Sequence, residues 1–583
     1  MLSFLVFVTV AWFLASAVDD FVVLLAWLWS VLDKSAALVL PEPGQLGSLP
    51  ERRMAIFVPA WHEDAVIERM LDQNTAALRY GGYVFLVGTY PNDRATQEAV
   101  RRAAARDARV RLVVGPRPGP TSKADCLNAL YRQMREIERE EGVFDLVLIH
   151  DAEDVLHPDE LHWKNWFAAG HDMVQTAVLP IATPAWQLTH GLYCDDFAEY
   201  HTKDLRARNW LGGFVPSCGV ATAFGRDQLE RLAADGPSGN PFSPDCLTED
   251  YELGYRLHCQ GARQVFIPLP AGRGPVLATR EFFPTKVRAA VRQRSRWITG
   301  IVFQGWRNHG WGRNPLDVYW FWRDRKGVVG SPLSLAASIA VGLHLLSGWP
   351  ALTLAGAPPR MVFAAGVLSA INLFTRSWCS GRIYGFWFGA LAPLRQIWGN
   401  WINTLAVAAA AESVVRAAWF GQGLTWRKTD HAYPWMGSGV ETRSLGEILV
   451  AKGFITAAAL KQASSTRPLG MALAEHLWRI GRVSAEQIQL ARNEQYGLAG
   501  AAGQAWESSR VLPAELAERW RVVPVGIGPG ELRLASIDMP EPGLEQELAR
   551  HTRLRPRLVL VTPTRFGQLR ARFHRDLQSI SKN

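Results

Sequence analysis

At 583 residues the chain is too long for one small module, and at about 150 residues per domain it holds three to four. Its 63 Lys and Arg stand against 54 Asp and Glu, a formal charge of +9, while 48% hydrophobic and 20% charged residues exclude a disordered or purely polar chain. The 24 Trp argue against a wholly soluble enzyme, because the indole gathers at membrane interfaces where its ring is apolar and its N–H stays wet.

Residues Met1 to Val18 carry no charge; Asp19 and Asp20 follow, then a second apolar run from Phe21 to Leu32. Basic residues do not precede this stretch and no clear cleavage site follows, so residues 1–40 are expected to be an uncleaved membrane anchor. Its two carboxylates need water or partners in lipid, or mark a turn at the interface. Residues 41–300 read as an α/β domain, with β-rich runs at Met54–Val58, Tyr83–Gly88, Val110–Val114 and Phe144–Ile149 alternating with helical stretches. Several runs are apolar throughout, as strands buried on both faces of a parallel sheet must be. Residues 301–326 are an expected interfacial segment. Gly327 to Pro359 lacks Asp, Glu, Lys and Arg over more than the roughly 20 residues that cross a bilayer core, which predicts a span. The shorter runs Met361–Thr375, Ile383–Leu394 and Gln396–Ala411, separated by Arg376, Arg382 and Arg395, complete a district of tilted spans or interfacial helices over 327–420. A linker at 421–441 leads to a soluble tail at 442–583, helical in its first half and strand-like at Arg521–Val525 and Arg557–Val561. The six cysteines form no CxxC pair, which disfavours a structural zinc site or disulfide scaffold and favours a reducing compartment.

Ligands of open parallel sheets sit beyond the carboxyl ends of the strands. There the first strand runs into Pro59, Ala60, Trp61, His62 and Glu63, the second into Tyr90 to Asp93, and the fourth into His150, Asp151, Ala152, Glu153 and Asp154. A loop from Gly119 to Asn128 carries Lys123, which has the reach to meet a base or phosphate. Further along come Thr248-Glu249-Asp250 and Gln293-Arg294-Ser295-Arg296-Trp297.

Together these motifs resemble the processive, membrane-bound family 2 glycosyltransferases of GT-A (Rossmann-like) fold, the group of cellulose and hyaluronan synthases. The resemblance covers about Met54 to Gly300 and the membrane helices. It implies a UDP-sugar site at Pro59, Ala60, Glu63, Asp93, Lys123 and Asp151, and a catalytic set of Glu249, Asp250, Gln293, Arg296 and Trp297. Dense charge on a nucleotide diphosphate calls for a hard cation, Mg2+ or Mn2+, held by carboxylates. Asp151 is the expected metal-side residue; Glu153 stands where the family usually has its second Asp, with Asp154 adjacent, and the second ligand is open between them. Acidic residues at such a position also cap helices. Asp250 matches the family's base, which takes a proton from the acceptor hydroxyl in a one-step, inverting displacement. Arg296 would stabilise the departing diphosphate and Trp297 offers a flat face for an acceptor sugar. The arginines at 288, 292, 294 and 296 equally suit an interfacial helix. Cys218 reads as a small buried apolar residue and His150 as structural.

The tail repeats a motif at a spacing of 24: Arg443-Ser444-Leu445-Gly446-Glu447-Ile448-Leu449 and Arg467-Pro468-Leu469-Gly470-Met471-Ala472-Leu473. Each copy leads to a Gly step, Gly453-Phe454-Ile455 or Gly481-Arg482-Val483, and then to Thr456 or Ser484 as a helix N-cap. This tandem form resembles the α+β MshEN domain of secretion ATPases, which implies cyclic di-GMP binding through Arg443, Leu445, Gly446, Leu449, Arg467, Leu469, Gly470 and Leu473. A two-fold symmetric ligand suits two copies of one half-site, with an Arg fork on each guanine edge. The second copy has four more residues between Gly470 and Val483 than the first has between Gly446 and Ile455.

A glycosyltransferase joined to this tail resembles the phage adsorption protein B group. The expected function is therefore an inverting bacterial inner-membrane transferase that moves a hexose or N-acetylhexosamine from a UDP donor to a growing exported glycan or a lipid. Cyclic di-GMP is the expected allosteric activator. The expected partners are membrane lipid and an export partner in the envelope, with no nucleic acid polymer. Both soluble parts would face the cytoplasm, which requires an even number of spans between residues 326 and 440. The rivals are a dolichol-phosphate-type single-sugar transferase, which has no usual need of Gln293 to Trp297, and a noncatalytic membrane scaffold.

Overall fold

The computed structural model describes residues 2–33, 38, 40–41, 45–236, 239–269, 276–347, 356–420, 445–466, 473–495, 512–528, 531–537, 544–548, 551–552 and 555–580. The chain forms two compact units, the first within Met1–His431 and the second chiefly Ala432–Asn583. The linker at 421–441 and the motif residues Arg443, Arg467, Leu469 and Gly470 lie outside the described residues.

The first unit is built on a mixed seven-stranded sheet. Its parallel half comprises β1 (Met54–Pro59), β2 (Tyr83–Thr89), β3 (Val110–Val114) and β4 (Leu146–Ile149). These are the four predicted β-rich runs; β1 and β4 are buried along almost their whole length, as strands apolar throughout should be, while β3, at the sheet edge with Arg111 in it, is only partly buried. The sheet continues through β5 (Met173–Gln175), β7 (Thr222–Gly225) and β8 (Gln264–Phe266), in the order β3-β2-β1-β4-β7-β5-β8, with β7 antiparallel to both neighbours. A separate parallel pair, β6 (Ala177–Pro180) and β9 (Ala278–Glu281), lies beside it.

After the long α1 (Leu2–Leu32), the helices interleaved with and following the strands are α2 (Ile67–Ala77), α3 (Arg94–Ala104), α4 (Lys123–Glu141), α5 (Glu160–Phe167), α6 (Leu188–Glu199), α7 (Leu205–Trp210), α8 (Arg226–Ala234), α9 (Glu249–Cys259) and α10 (Val287–Ile298). Then follow α11 (Gly305–His309), α12 (Pro315–Arg325), α13 (Gly327–Ser347), α14 (Pro359–Tyr384), α15 (Phe386–Ala390) and α16 (Ala392–Phe420).

Asp19 and Asp20 do not break α1. Asp19 accepts from Tyr319 at 2.7 Å and pairs with Arg323 and Lys326, while Asp20 accepts from Arg323 at 3.0 Å, Lys326 at 2.9 Å and Asn372 at 3.2 Å. The carboxylates thus found partners rather than a turn. Arg376, Arg382 and Arg395, which the sequence places in gaps between short apolar runs, do not interrupt helices: the first two lie inside α14 and the third inside α16. Among the described residues two helices are long and apolar enough to cross a membrane, 6–32 of α1 and all of α14. The span expected at 327–359 is not one of them: α13 covers its first part with Pro332 inside it, and residues 348–355 lie outside the described set.

The second unit holds α17 (Leu445–Ala451), α18 (Ala457–Thr466), α19 (Leu473–Arg479) and α20 (Ala485–Gln495), followed by α21 (Ala514–Arg519), β10 (Val522–Gly528), β11 (Glu531–Ser536), α22 (Leu544–Leu548), β12 (Arg555–Leu560) and α23 (Pro563–Ile580). The three strands make one sheet in that order. The repeat is visible in the backbone. Gly453 and Gly481 both take positive φ, +69° and +65°, and the next amides return to Leu449 and Leu477 at 2.9 and 3.0 Å, the pattern of a glycine-ended helix. Thr456 and Ser484 cap the following helices at 3.3 and 3.2 Å, as expected. The structural correspondence runs at 28 residues, pairing Leu445 with Leu473 and Gly453 with Gly481, whereas the sequence motif recurs at 24.

Candidate functional site

One cleft opens where the carboxyl ends of β1, β2 and β4 meet the starts of α4, α9 and the face of α10. Its walls include Pro59, Ala60, Glu63, Lys123, Asp151, Glu153, Glu249, Asp250, Gln293, Arg296 and Trp297. Every proposed catalytic and metal residue is in that set, and among the proposed donor-site residues only Asp93 is not.

Asp93 is 2% exposed. It caps α3 through the Thr96 amide at 3.3 Å and accepts the His62 amide at 2.6 Å, holding His62 at φ +54° behind Trp61. Its carboxylate therefore shapes the wall from the next layer.

Lys123 is brought in by packing. A side chain on Gly88 of β2 would meet Cys126 at 2.6 Å, so glycine lets α4 lie close on the strand, and Ser122 caps its first turn. The Lys123 ammonium lies 2.6 Å from Asp151 and donates to the Gly219 carbonyl at 3.3 Å. Burial alone would lower its pKa, but Asp151, Glu249 and Asp250 together hold it above the ordinary lysine value.

The adjacent acids separate cleanly. Asp154 is fully buried and turned away: it bonds His150 at 2.7 Å and the Asp151 amide at 3.1 Å. His150 sits between Asp154 and Glu160; burial would lower its pKa, yet the two carboxylates raise it to about 9. Glu153, by contrast, lines the cleft. Of the two acids left open by the sequence, it is the one facing the site.

Asp250 lies in the first turn of α9, and one of its oxygens sits 2.6 Å from where a Cβ on Gly219 would be. Gly219 takes φ +79°, so this position needs glycine twice over. Burial raises the pKa of Asp250 against the pull of Lys123 and Arg296, and burial with the neighbouring Asp250 raises that of Glu249. Burial likewise pushes the Cys218 thiol up, leaving it a neutral wall atom.

Three supports escaped sequence reasoning. Gln175, fully buried at the end of β5, accepts the Cys218 amide at 3.1 Å and donates to the Val220 and Ala221 carbonyls at 3.1 and 3.2 Å, so it holds the Gly219 loop. Gln304 lies in a π-helical turn, Thr299–Gln304, that continues α10; it accepts the Leu247 amide at 2.9 Å and donates to the Asp245 carbonyl at 3.0 Å. In the same turn a Cβ on Gly300 would strike Thr248 Oγ1 at 2.4 Å, so α10 and the Thr248–Asp250 segment are locked in close approach. Phe197 and Phe283, which join Trp297 in the cleft's aromatic floor, belong to no motif. Phe283 stacks on Tyr193 at 4.8 Å.

Six carboxylates line the cleft, Glu63, Asp151, Glu153, Glu249, Asp250 and Glu281, facing the two cations Lys123 and Arg296. Such an acid excess with upward-shifted Glu249 and Asp250 suits a hard divalent cation. Asp151 and Glu153 are the lining carboxylates that would hold it, and the cation would supply charge neutralisation for a diphosphate.

Residues 50–300 match the family described as Glycosyltransferase like family 2, and residues 496–579 match the MshEN domain. The chain is 36% identical over 549 residues to bacteriophage adsorption protein B of Escherichia coli K12, covering 88% of this chain and 73% of that one. The same figures hold for bacteriophage N4 adsorption protein B of Escherichia coli O157:H7. The chain belongs to the phage adsorption protein B family. A mannosyltransferase of Pyrobaculum calidifontis, solved with GDP-Man and Mn2+, aligns over 71% of this chain and 100% of its own at 19% identity and a TM-score of 0.45. With this membership the first unit carries a GT-A glycosyltransferase domain with membrane-apt helices and the second an MshEN domain with its small sheet. The MshEN match begins downstream of both RxLG copies.

Proposed function

We propose that this family 2 glycosyltransferase transfers a hexose or N-acetylhexosamine, with inversion, from a UDP donor to a growing exported glycan or a lipid acceptor. The observation that carries the proposal is the convergence of Lys123, Asp151, Glu153, Asp250, Gln293, Arg296 and Trp297 on one cleft. Asp250 takes the proton of the acceptor hydroxyl as that oxygen bonds the anomeric carbon, and the sugar–phosphate bond breaks with its electron pair going to the diphosphate. Arg296, with Gln293 beside it, receives the charge developing on that leaving group, and Trp297 and Phe283 give the acceptor sugar an apolar floor. Pro59, Ala60, Glu63 and Lys123 line the donor end, with Asp93 behind them. Asp151 and Glu153 would hold Mg2+ or Mn2+, which when bound neutralises diphosphate charge.

The domain boundaries proposed are those read from the sequence: anchor 1–40, transferase 41–300, interfacial segment 301–326, membrane helices 327–420, linker 421–441 and the cyclic di-GMP module 442–583. The module is proposed to activate the transferase by binding more tightly to its active state. Both ligands are cytosolic, so the two soluble parts are placed on the cytoplasmic face of a bacterial inner membrane, with an export partner beyond it.

The test is UDP release by the full-length, detergent-solubilised chain across a panel of UDP-sugars, with and without cyclic di-GMP, and with Asp250→Asn and Arg443→Ala/Arg467→Ala variants. Donor-specific release that Asp250→Asn abolishes is expected. Absence of release with every donor would overturn the catalytic reading. Release indifferent to the dinucleotide would overturn only the regulatory one.

A further inference from the structure

Helix α10 presents Gln293, Arg296 and Trp297 to the cleft. At 100° per residue these three occupy one arc, and Arg294 points out of it. Arg294 is nonetheless buried, 9% exposed. One Nη donates to Asp196 of α6 at 2.6 Å, the other to Asn403 of α16 at 2.9 Å, and its guanidinium lies 4.3 Å from the centre of the Tyr193 ring. Tyr193 in turn stacks on Phe283 and meets Trp297 edge-on at 6.1 Å, so the guanidinium lies directly behind the cleft's aromatic floor.

Asp196 does not serve Arg294 alone. Its other oxygen accepts from Arg376 of α14, one of the two helices long and apolar enough to cross a membrane, and Arg376 also donates to Glu199 at 3.1 Å. One carboxylate thus divides between two buried arginines, one from the helix that carries the leaving-group arginine and one from a membrane-apt helix. The fork geometry of both guanidiniums fixes direction as well as distance, which a lysine would not.

We infer that Arg294 is a positioning residue: through Asp196 it registers the cleft face of α10 against α14, so that the membrane helix sets where Arg296 and Trp297 stand. This rests on the glycosyltransferase reading for its kinetic consequence, but not for its structural one. A misplacement of about 1 Å at a reacting group costs on the order of 100-fold in rate.

The experiment uses the full-length chain in lipid nanodiscs, with Arg294→Met, Arg294→Lys, Arg376→Gln and the double variant Arg294→Met/Arg376→Gln. Arg288→Met, exposed on the same helix, is the control. Donor turnover and hydrogen exchange of the 287–304 peptide are both measured. Arg294→Met is expected to lower kcat about 100-fold with the donor KM changed less than about 3-fold. Arg294→Lys should recover part of the loss, and the double variant should be no worse than the poorer single one, because both arginines act through Asp196. Exchange over 287–304 should rise in Arg376→Gln although residue 376 is on another helix, and stay unchanged in Arg288→Met. Unchanged exchange in Arg376→Gln would overturn the registration, whether or not the wild-type chain turns over a donor. Raised exchange with unaltered kcat, or multiplying losses in the double variant, would overturn the positioning role. A wild-type chain inert with all donors would overturn the glycosyltransferase reading alone, and the exchange result would still decide the registration.

Discussion

Gly219→Ala is the smallest perturbation that addresses the proposed base. The added methyl would lie 2.6 Å from an oxygen of Asp250, and ordinary van der Waals contact begins near 3.4 Å, so the carboxylate must retreat by about 1 Å. The backbone adds its own resistance: φ of +79° costs a residue with a Cβ roughly 1–2 kcal/mol. If Asp250 is the base, that displacement is expected to lower kcat about 100-fold, near 2.7 kcal/mol of barrier. The donor KM should change little, because the methyl faces Asp250 rather than the Pro59–Glu63 end of the cleft. Saturating-donor UDP release gives kcat, and thermal melting of the same preparation reads the backbone cost separately. A variant with a lowered melting temperature but wild-type kcat would refute the assignment, since Asp250 would then have moved without consequence.

Gln304→Ala removes two hydrogen bonds to the 245–247 loop, each worth about 1 kcal/mol, so a melting loss of about 2 kcal/mol with reduced kcat is expected, and an unaltered kcat would detach this turn from the site. The pH profile should show an acid limb above the ordinary carboxylate range, because burial raises Asp250 and Glu249 and the base acts only when deprotonated; activity therefore rises with pH through the raised value. Lys123→Met withdraws a cation that opposes that rise, so the limb of kcat at saturating donor should move to higher pH, and movement to lower pH would contradict the placement. Asp195→Asn leaves the fully buried Arg395 without its carboxylate and should cost about 3–5 kcal/mol, while Asp195→Leu/Arg395→Met should be far milder in denaturant unfolding.

What the sequence made legible follows from the range of the forces involved. The strands at 54–59, 83–89 and 146–149 announced themselves because burial on both faces demands unbroken apolar runs, and the edge strand at 110–114, partly exposed and carrying Arg111, through its β-branched residues. The three- and four-residue strands at 173–175, 264–266 and 278–281 did not, since segments so short owe their state to their neighbours. The cleft residues were legible partly at strand ends, Pro59 to Glu63 and Asp151 to Glu153, and partly as motifs that open or line helices, Lys123 on α4, Glu249 and Asp250 on α9 and Gln293 to Trp297 on α10. Gln175 and Gln304 stayed hidden because a neutral amide has no distinctive spacing; its value comes from which backbone groups the fold brings to it. Asp93 shows the converse, an acid whose position was legible and whose bonds face the loop behind the wall.

The charges near the membrane-apt helices carry the same lesson further. Reading Asp19, Asp20, Arg376 and Arg395 one at a time makes each an interruption in an apolar run, and predicts a turn or a gap. In the fold they are matched: Asp19 and Asp20 meet Arg323 and Lys326, Asp195 meets Arg395 at 2.7 Å, and Asp196 is shared by Arg294 and Arg376. Apolar contact gives helices little preference for one another in lipid, because the tails are as apolar as leucine. Paired charges do give a preference, since a mismatched register leaves each of them buried without a partner. The residues that made the membrane district hardest to delimit are therefore those that fix how it attaches to the catalytic sheet. Two of those pairs reach the cleft itself: Asp195 and Asp196 stand on α6, which gives the cleft Phe197, and Arg294 on α10, which gives it Gln293, Arg296 and Trp297, so the same charges that tie α14 and α16 to this unit also hold that wall.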